Sequence, residues 1–275
     1  MRISVLMSTY CREKHEYLDE AMKSIWTEQT RKPDQIVLVE DGPLTPQLYE
    51  VIDTWRKKLG DVLTLVENKQ NLGLAESLNK GIKECSGELI ARMDSDDRSA
   101  PARFLLQEKY MTEHPEVDIL GGSLEEFNDE GSLSNVRRYP LQMKDVVTTM
   151  YKASPLGHPS VMFRRSFFES GYKYSNKYYI CEDVSLWFDA AKGGRVINNI
   201  PDIVLYFRRN DSMLMRRGKE KAWSEFLAYS EGIRKLYGVV TLKYVYPLMR
   251  MAFRLMPTSV IRAVYNSGFR KKVVK

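Results

Sequence analysis

Residues 88–97 read ELIARMDSDD. The stretch passes without a turn residue from an apolar run into three carboxylates within four positions, Asp94, Asp96 and Asp97. A short apolar run bounded by turn chemistry reads as a buried strand, here 88–93. Towards the N-terminus the pattern alternates. Residues 74–85 (LAESLNKGIKEC) have helical spacing, 62–66 (VLTLV) are strand-like, and 46–59 are helical. Residues 35–39 (QIVLV) are strand-like behind the Pro33-Asp34 break. Residues 16–30 are helical through Tyr17, Leu18, Ala21, Ile25 and Trp26, and 3–7 (ISVLM) are strand-like. Strands alternating with helices imply βαβ units, hence an α/β fold with a Rossmann-like, mainly parallel sheet flanked by helices. Towards the C-terminus, 123–150 are polar and mixed and predict a β-rich loop region. Val184 to about Lys192 predicts a helix, ended by Gly193-Gly194.

Open parallel sheets bind ligands beyond the carboxyl ends of their strands. Three loops fall there: Ser8–Glu13, Glu40–Pro43 and Asp94–Arg98. No G-x-G-x-x-G pattern is present, which disfavours a dinucleotide cofactor.

The 275 residues carry a net charge of +6 that hides an asymmetry. Residues 204–275 hold 16 basic and 4 acidic side chains, whereas 1–203 hold 26 basic and 32 acidic. A mildly acidic body with a basic end suits phosphate-bearing substrates or anionic lipid. Nucleic acid is disfavoured by the acidic body and by the lack of a zinc-finger or RNA-recognition signature. Cys11, Cys85 and Cys181 are odd in number and widely spaced, which argues against a disulfide scaffold or structural zinc. No apolar run approaches the roughly 18 residues of a spanning helix, so the body is expected in the cytoplasm.

The acidic turn is the densest chemical signal. Two unit charges ~4 Å apart cost roughly 1 kcal/mol in water and about 4 at an effective dielectric of ~20. Gathering three carboxylates asks for a counter-charge, and a hard divalent cation supplies it; the bland reading is a solvated turn that caps a helix. Cys181-Glu182-Asp183 opens a predicted helix. The pair is either ordinary N-terminal capping or contains a general base for a hydroxyl. Glu40-Asp41-Gly42 is either a turn or holds an Asp that accepts from a nucleobase N–H, with Thr9 and Tyr10 lining the same pocket.

Five segments in order and spacing over about 1–210 resemble glycosyltransferase family 2, whose catalytic domain has the GT-A fold. They are SVLMSTYCRE (Ser4–Glu13), IVLVEDG (Ile36–Gly42), NLGLAESLNKGIKECSGELIARMDSDD (Asn71–Asp97), HPSVMFRR (His158–Arg165) and Glu182-Asp183. The resemblance implies a role for each. Asp94 and Asp96 match the Asp-x-Asp motif that positions the nucleotide-sugar and holds Mg²⁺ or Mn²⁺, with Asp96 and Asp97 as metal ligands. Asp183 matches the catalytic base. The nucleotide-sugar would be bound by Thr9, Tyr10, Glu13, Asp41, Asn71, Gly73, Asp94 and Ser95. His158 and Glu182 would touch the acceptor or support the site. The chain departs from the family pattern in Cys11 after the loop tyrosine, in Glu40 of the acidic pair, and in Leu205–Gly218, which lacks histidine. That last run, LYFRRNDSMLMRRG, instead resembles a subset that assembles bacterial surface polysaccharides. Arg208, Arg216 and Arg217 offer forks suited to phosphate oxygens.

The implied activity is a metal-dependent inverting transfer of a sugar from a nucleotide-sugar, UDP-linked, to a saccharide on a lipid-diphosphate carrier. Alternatives are a soluble or protein acceptor, a non-catalytic nucleotide-sugar-binding protein of the same fold, and a nucleotidyltransferase. The last would need a Gly-rich basic loop near the N-terminus, which is absent. The expected organisation is a catalytic domain over 1–205, then a basic loop and C-terminal helices over 206–275. Residues 240–275 contain eight Lys or Arg and no acid, around apolar runs at Leu242–Met256 and Ser259–Tyr265. They predict a basic amphipathic pair of helices lying on an anionic surface, at the inner face of a bacterial inner membrane.

Overall fold

The computed structural model describes residues 1–178, 180–209 and 218–256. The chain opens with β1 (Ile3–Thr9), α1 (His15–Trp26), β2 (Gln35–Glu40), α2 (Pro46–Leu59), β3 (Leu63–Glu67), α3 (Leu74–Glu84) and β4 (Leu89–Asp94). These strands align in parallel in the order β3-β2-β1-β4. Period-two alternation sends Val5, Met7, Ile36 and Leu38 into the apolar cluster under α1 and α2. Leu6, Val37 and Val39 point into the cluster on the opposite face, under α3. Both faces are covered, which is why QIVLV is continuously apolar rather than alternating. A Cβ on Gly81 would lie 2.3 Å from the Leu6 side chain, so this glycine lets α3 lie close against the sheet.

After β4 come β5 (Arg98–Ser99), α4 (Arg103–Glu113), β6 (Val117–Phe127), β7 (Leu133–Arg137), α5 (Met143–Thr149), β8 (Met162–Arg164), α6 (Arg165–Glu169), α7 (Glu182–Lys192) and β9 (Val196–Arg208). β8 joins β4 antiparallel, and the sheet continues β8-β6-β9-β5, with β7 on β6. The region expected to be β-rich loop is strand at 123–127 and 133–137, but a helix at 143–149. That helix buries Val146 and is tied at its start by Met143 N–H donating to Asn198 Oδ1 at 3.0 Å.

Two helices close the described chain, α8 (Lys219–Tyr237) and α9 (Val245–Leu255). α8 packs on α7, with Tyr229 edge-on to Phe188 at 6.1 Å and Gly232 against the same ring. α9 packs on α8 through Arg250 and Arg254, both paired with Glu225. The expected first C-terminal helix is therefore present. The second apolar run, Ser259–Tyr265, lies outside the described residues. Among the described residues no helix is long and apolar enough to cross a membrane.

Candidate active site

Register brings the first site residues together. Ser8 of β1 pairs with Val39 of β2 on one side and Asp94 of β4 on the other, so the three strands end level. The three expected loops thus meet beyond the carboxyl ends of these parallel strands.

Asp41 leaves β2 with its N–H on Thr9 O at 2.8 Å. Its Oδ1 accepts from Leu72 N–H at 2.7 Å and Asn68 Nδ2 at 3.1 Å, and its Oδ2 from Gly73 N–H at 3.0 Å. Asn71 Nδ2 donates to Asp41 O at 3.2 Å. Gly42 has φ +87°, and a Cβ there would sit 2.7 Å from Asn71 N, so only glycine allows the two loops this approach. Asp41, Asn71 and Gly73 form one knitted unit whose carboxylate uses three of its roughly four acceptor directions on the protein. Beside it, Thr9 is buried with no partner for Oγ1, and Tyr10 is exposed.

The acidic turn is the second unit. Asp94, Asp96 and Asp97 each offer an oxygen, all within 4.8 Å of one another. Asp97 is buried: Oδ1 accepts from Arg208 N–H at 2.8 Å, while Oδ2 has no partner. Burial, then the charges of Asp96 and Asp94, hold its carboxyl well above the usual carboxylate range. Three hard oxygens and an orphaned buried carboxylate oxygen fit a divalent cation. Ser95 donates to Glu13 Oε2 at 2.9 Å, tying the turn to the loop after β1, and burial raises the Glu13 pKa.

Arg208, expected on a phosphate, is placed otherwise. Its Nε donates to Asp96 O at 2.8 Å, and its other nitrogens pair with Asp129 at 3.1 Å and with Glu20. The guanidinium lies 3.8 Å from the Tyr17 ring centroid and 4.5 Å from that of Phe127. It is a buried brace of the acidic turn, with its fork already occupied. Arg216 and Arg217 lie outside the described residues.

The third unit is the N-terminus of α7. Cys181 precedes it at φ +74°, the one non-glycine residue in the left-handed region among those described. Burial raises the Asp183 pKa, opposed by the N–H of Val184, by Arg92 and by its own N–H. Burial and the neighbouring Asp183 push Glu182 up to about 7. A carboxylate raised in this way is a stronger base than one in water.

The central cation, Arg92, went unread in the sequence. It is 2% exposed, pairs with Asp94, and leaves Nε and Nη1 without partners. Its charge lowers the pKa values of Asp97, Glu182, Asp183 and His158, which places it amid both acidic groups. A signal was available: Arg92 interrupts an apolar strand two residues before Asp94, on the same face. Arg103, also buried, fixes it from behind by donating to Arg92 O at 2.7 Å. His158 belongs to the packing beneath. Its Nε2 lies 2.9 Å from Tyr174 Oη, and burial holds the ring neutral.

The model of glycosyl transferase family 2 matches residues 4–171. The amylovoran biosynthesis glycosyltransferase AmsE of Erwinia amylovora is 35% identical over 96% of this chain and 97% of its own length. The UDP-Gal:alpha-D-GlcNAc-diphosphoundecaprenol beta-1,3-galactosyltransferase of Escherichia coli is 31% identical over 98% and 97%. Among solved structures, the mannosyltransferase PcManGT from Pyrobaculum calidifontis, in complex with GDP-Man and Mn²⁺, superposes with a TM-score of 0.65 at 18% identity, covering 97% of this chain and 79% of that one.

Proposed function

The chain belongs to glycosyl transferase family 2, and on that premise we propose that it moves a sugar from a UDP-sugar to a saccharide on a lipid-diphosphate carrier, with inversion and with a divalent metal. It is a glycosyltransferase with relatives in polysaccharide biosynthesis. The observation that carries the finer reading is the convergence of the acidic turn and the α7 carboxylates on Arg92, at the carboxyl end of β4. The activity named for the Escherichia coli relative, from UDP-Gal to a diphosphoundecaprenol-linked sugar, supports both the donor and the acceptor class. The Mn²⁺ complex of the mannosyltransferase supports the metal.

Asp96 and Asp97, with Asp94, would hold Mg²⁺ or Mn²⁺. The ion would supply positive charge for the diphosphate leaving group. Asp183 takes the proton of the acceptor hydroxyl as its oxygen attacks the anomeric carbon, and the bond to the diphosphate breaks on the opposite side. No enzyme nucleophile is needed, so one displacement inverts the centre. Thr9 and Tyr10 border the nucleobase pocket, whose floor is the Asp41–Asn71–Gly73 unit. Arg208 keeps the acidic turn in place, and Glu13 holds Ser95. Glu182 stands beside the base and supports it. The enzyme works against the anionic inner leaflet of the bacterial inner membrane, where such an acceptor resides.

The test is a panel of UDP- and GDP-sugars with a synthetic lipid-diphosphate saccharide, with Mn²⁺ or with EDTA. Turnover of a UDP-hexose that stops in EDTA is expected. Undiminished turnover in excess EDTA would overturn the metal, and transfer only to soluble or protein acceptors would overturn the carrier.

A further inference from the structure

α9 is folded inside out. Its inward side carries Arg250 and Arg254, both on the buried carboxylate of Glu225, with Arg250 also donating to Lys152 O at 3.2 Å. Lys243, just before the helix, lies over the Tyr151 and Tyr237 rings. The three basic residues of 240–256 are therefore engaged with the protein. The outward side is apolar: Val245, Leu248, Met249, Leu255 and Met256 are exposed. So are Val240 at 96% and Leu242 at 88% in the segment leading in. An amphipathic helix normally turns its apolar stripe to the core. Among the described residues nothing covers this surface of large apolar side chains, the kind of patch that marks an interaction site.

The sequence that follows says what covers it. Residues 257–275 contain Arg262, Arg270, Lys271, Lys272 and Lys275 and no acidic residue. An apolar face followed in sequence by a stretch whose charged residues are all basic complements an anionic bilayer, whose interface takes apolar side chains and whose headgroups attract cations.

We propose that α9 and residues 239–242 form a lipid-docking face that inserts apolar side chains into the interface of an anionic membrane. Arg250 and Arg254 serve to present that face and do not contact the lipid. This narrows the sequence-based expectation that the eight basic residues of 240–275 lie on the surface, since Lys243, Arg250 and Arg254 are engaged with the protein. It rests on the reading of a lipid-borne acceptor, because a docked face raises the local concentration of such an acceptor without altering the chemistry at Asp183.

The full chain is tested by flotation with phosphatidylethanolamine–phosphatidylglycerol vesicles and with phosphatidylcholine vesicles, at 0.1 and 1 M salt. The variants are Leu248→Ser with Met249→Ser, and Lys271→Gln with Lys272→Gln. Turnover is followed on a long-chain acceptor in vesicles and on a short soluble analogue. The apolar double variant should lose at least tenfold in partition to anionic vesicles and in turnover of the long-chain acceptor, with an unchanged melt and unchanged turnover of the soluble one. Binding by the wild type should persist in part at 1 M salt, whereas the contribution of Lys271 and Lys272 should vanish there. Unchanged partition of Leu248→Ser/Met249→Ser overturns the proposal. So does a wild-type dimer that this variant dissociates, or a Met249→Cys that a water-soluble maleimide labels only after 257–275 are removed. Absence of turnover with either acceptor would refute the activity, and the vesicle partition would still decide the docking face by itself.

Discussion

Asp97 is a carboxylate that the fold holds at a cost. Its pKa is raised by burial and by two neighbouring carboxylates, and one oxygen has no partner. Below the ordinary carboxylate pKa the folded and unfolded chains both hold it protonated, and nothing is lost. As pH rises towards its folded pKa, stability falls. Asp97→Asn should therefore raise the melting temperature in EDTA by a few degrees at pH 8, about 1–2 kcal/mol, and leave it unchanged well below the ordinary carboxylate pKa, near about pH 3. The same variant should abolish the rise in melting temperature that Mn²⁺ gives the wild type. Equal melting of the two proteins at pH 8 would show that Asp97 is not strained. Asp183→Asn makes the complementary case. The amide is nearly isosteric but takes no proton, so transfer should fall 10²–10⁴-fold with donor affinity unchanged. A loss confined to donor binding, by calorimetry, would move the base elsewhere. Because burial raises the Asp183 pKa, the acid limb of the wild-type rate profile should lie higher than for an ordinary aspartate, activity falling as pH drops through it.

The strands and helices of the first half were readable because each satisfies one simple rule. Strands covered on both faces are continuously apolar, as in QIVLV, and helices between them show one apolar stripe. Helix α5 was missed because MKDVVTT offers β-branched and polar residues and buries Val146 alone; its tie to Asn198 is a contact 55 positions away. The acidic turn, the Asp41 loop and the α7 pair were legible as motifs, since each is local. What holds them was not. Arg92 and Arg103 sit on different elements, and the seat of Arg208 is built from Glu20, Tyr17, Phe127 and Asp129. Those partners come from α1, from the end of β6 and from the loop after it, and only the folded sheet brings them together. From the sequence Arg208 looked like a free fork; in the fold it fastens the end of β9 to the turn after β4. Arg208→Met removes three polar contacts of a buried guanidinium and leaves Glu20 and Asp129 half-solvated. A loss of about 2–4 kcal/mol is expected, within the range for breaking a partly buried ion pair. It should appear as a fall of roughly 4–10 °C in melting temperature together with weaker Mn²⁺ binding. Unaltered Mn²⁺ affinity alongside the lower melt would mean that the brace stabilises β9 without positioning the acidic turn.

The same long-range coupling bears on where the catalytic body ends. Charge and composition place a change near 205, yet β9 runs on to Arg208, and the helix beyond packs into the body itself. Ala228, Tyr229 and Ile233 of α8 are each no more than 1% exposed, and Tyr229 and Ile233 share the apolar cluster of Trp187 and Phe188 from α7. Ser224 reaches back to Ile180, with Ile180 N–H donating to Ser224 Oγ at 3.3 Å, so α8 also holds the segment that leads into Glu182 and Asp183. The basic end is thus two things: a helix that completes the core beside Asp183, then an outward-facing helix with a basic continuation. The two should separate on truncation. Burial of a large apolar side chain contributes about 1.5–3 kcal/mol, so losing Tyr229 and Ile233 and uncovering Phe188 removes on the order of 5 kcal/mol or more. That is comparable with the whole stability of a typical domain, about 5–15 kcal/mol. A chain ending at residue 217 is therefore expected to aggregate or to melt more than 10 °C below the full protein, and to lose turnover of the soluble acceptor. A chain ending at residue 256 retains α8, α9 and the Glu225 pairs, and should melt within a few degrees of the full protein with that turnover intact. Thermal melts followed by circular dichroism, beside the soluble-acceptor assay, decide it. A cooperative, active 1–217 chain would show that the body closes without α8 and that the boundary drawn from charge alone is also a boundary of the fold.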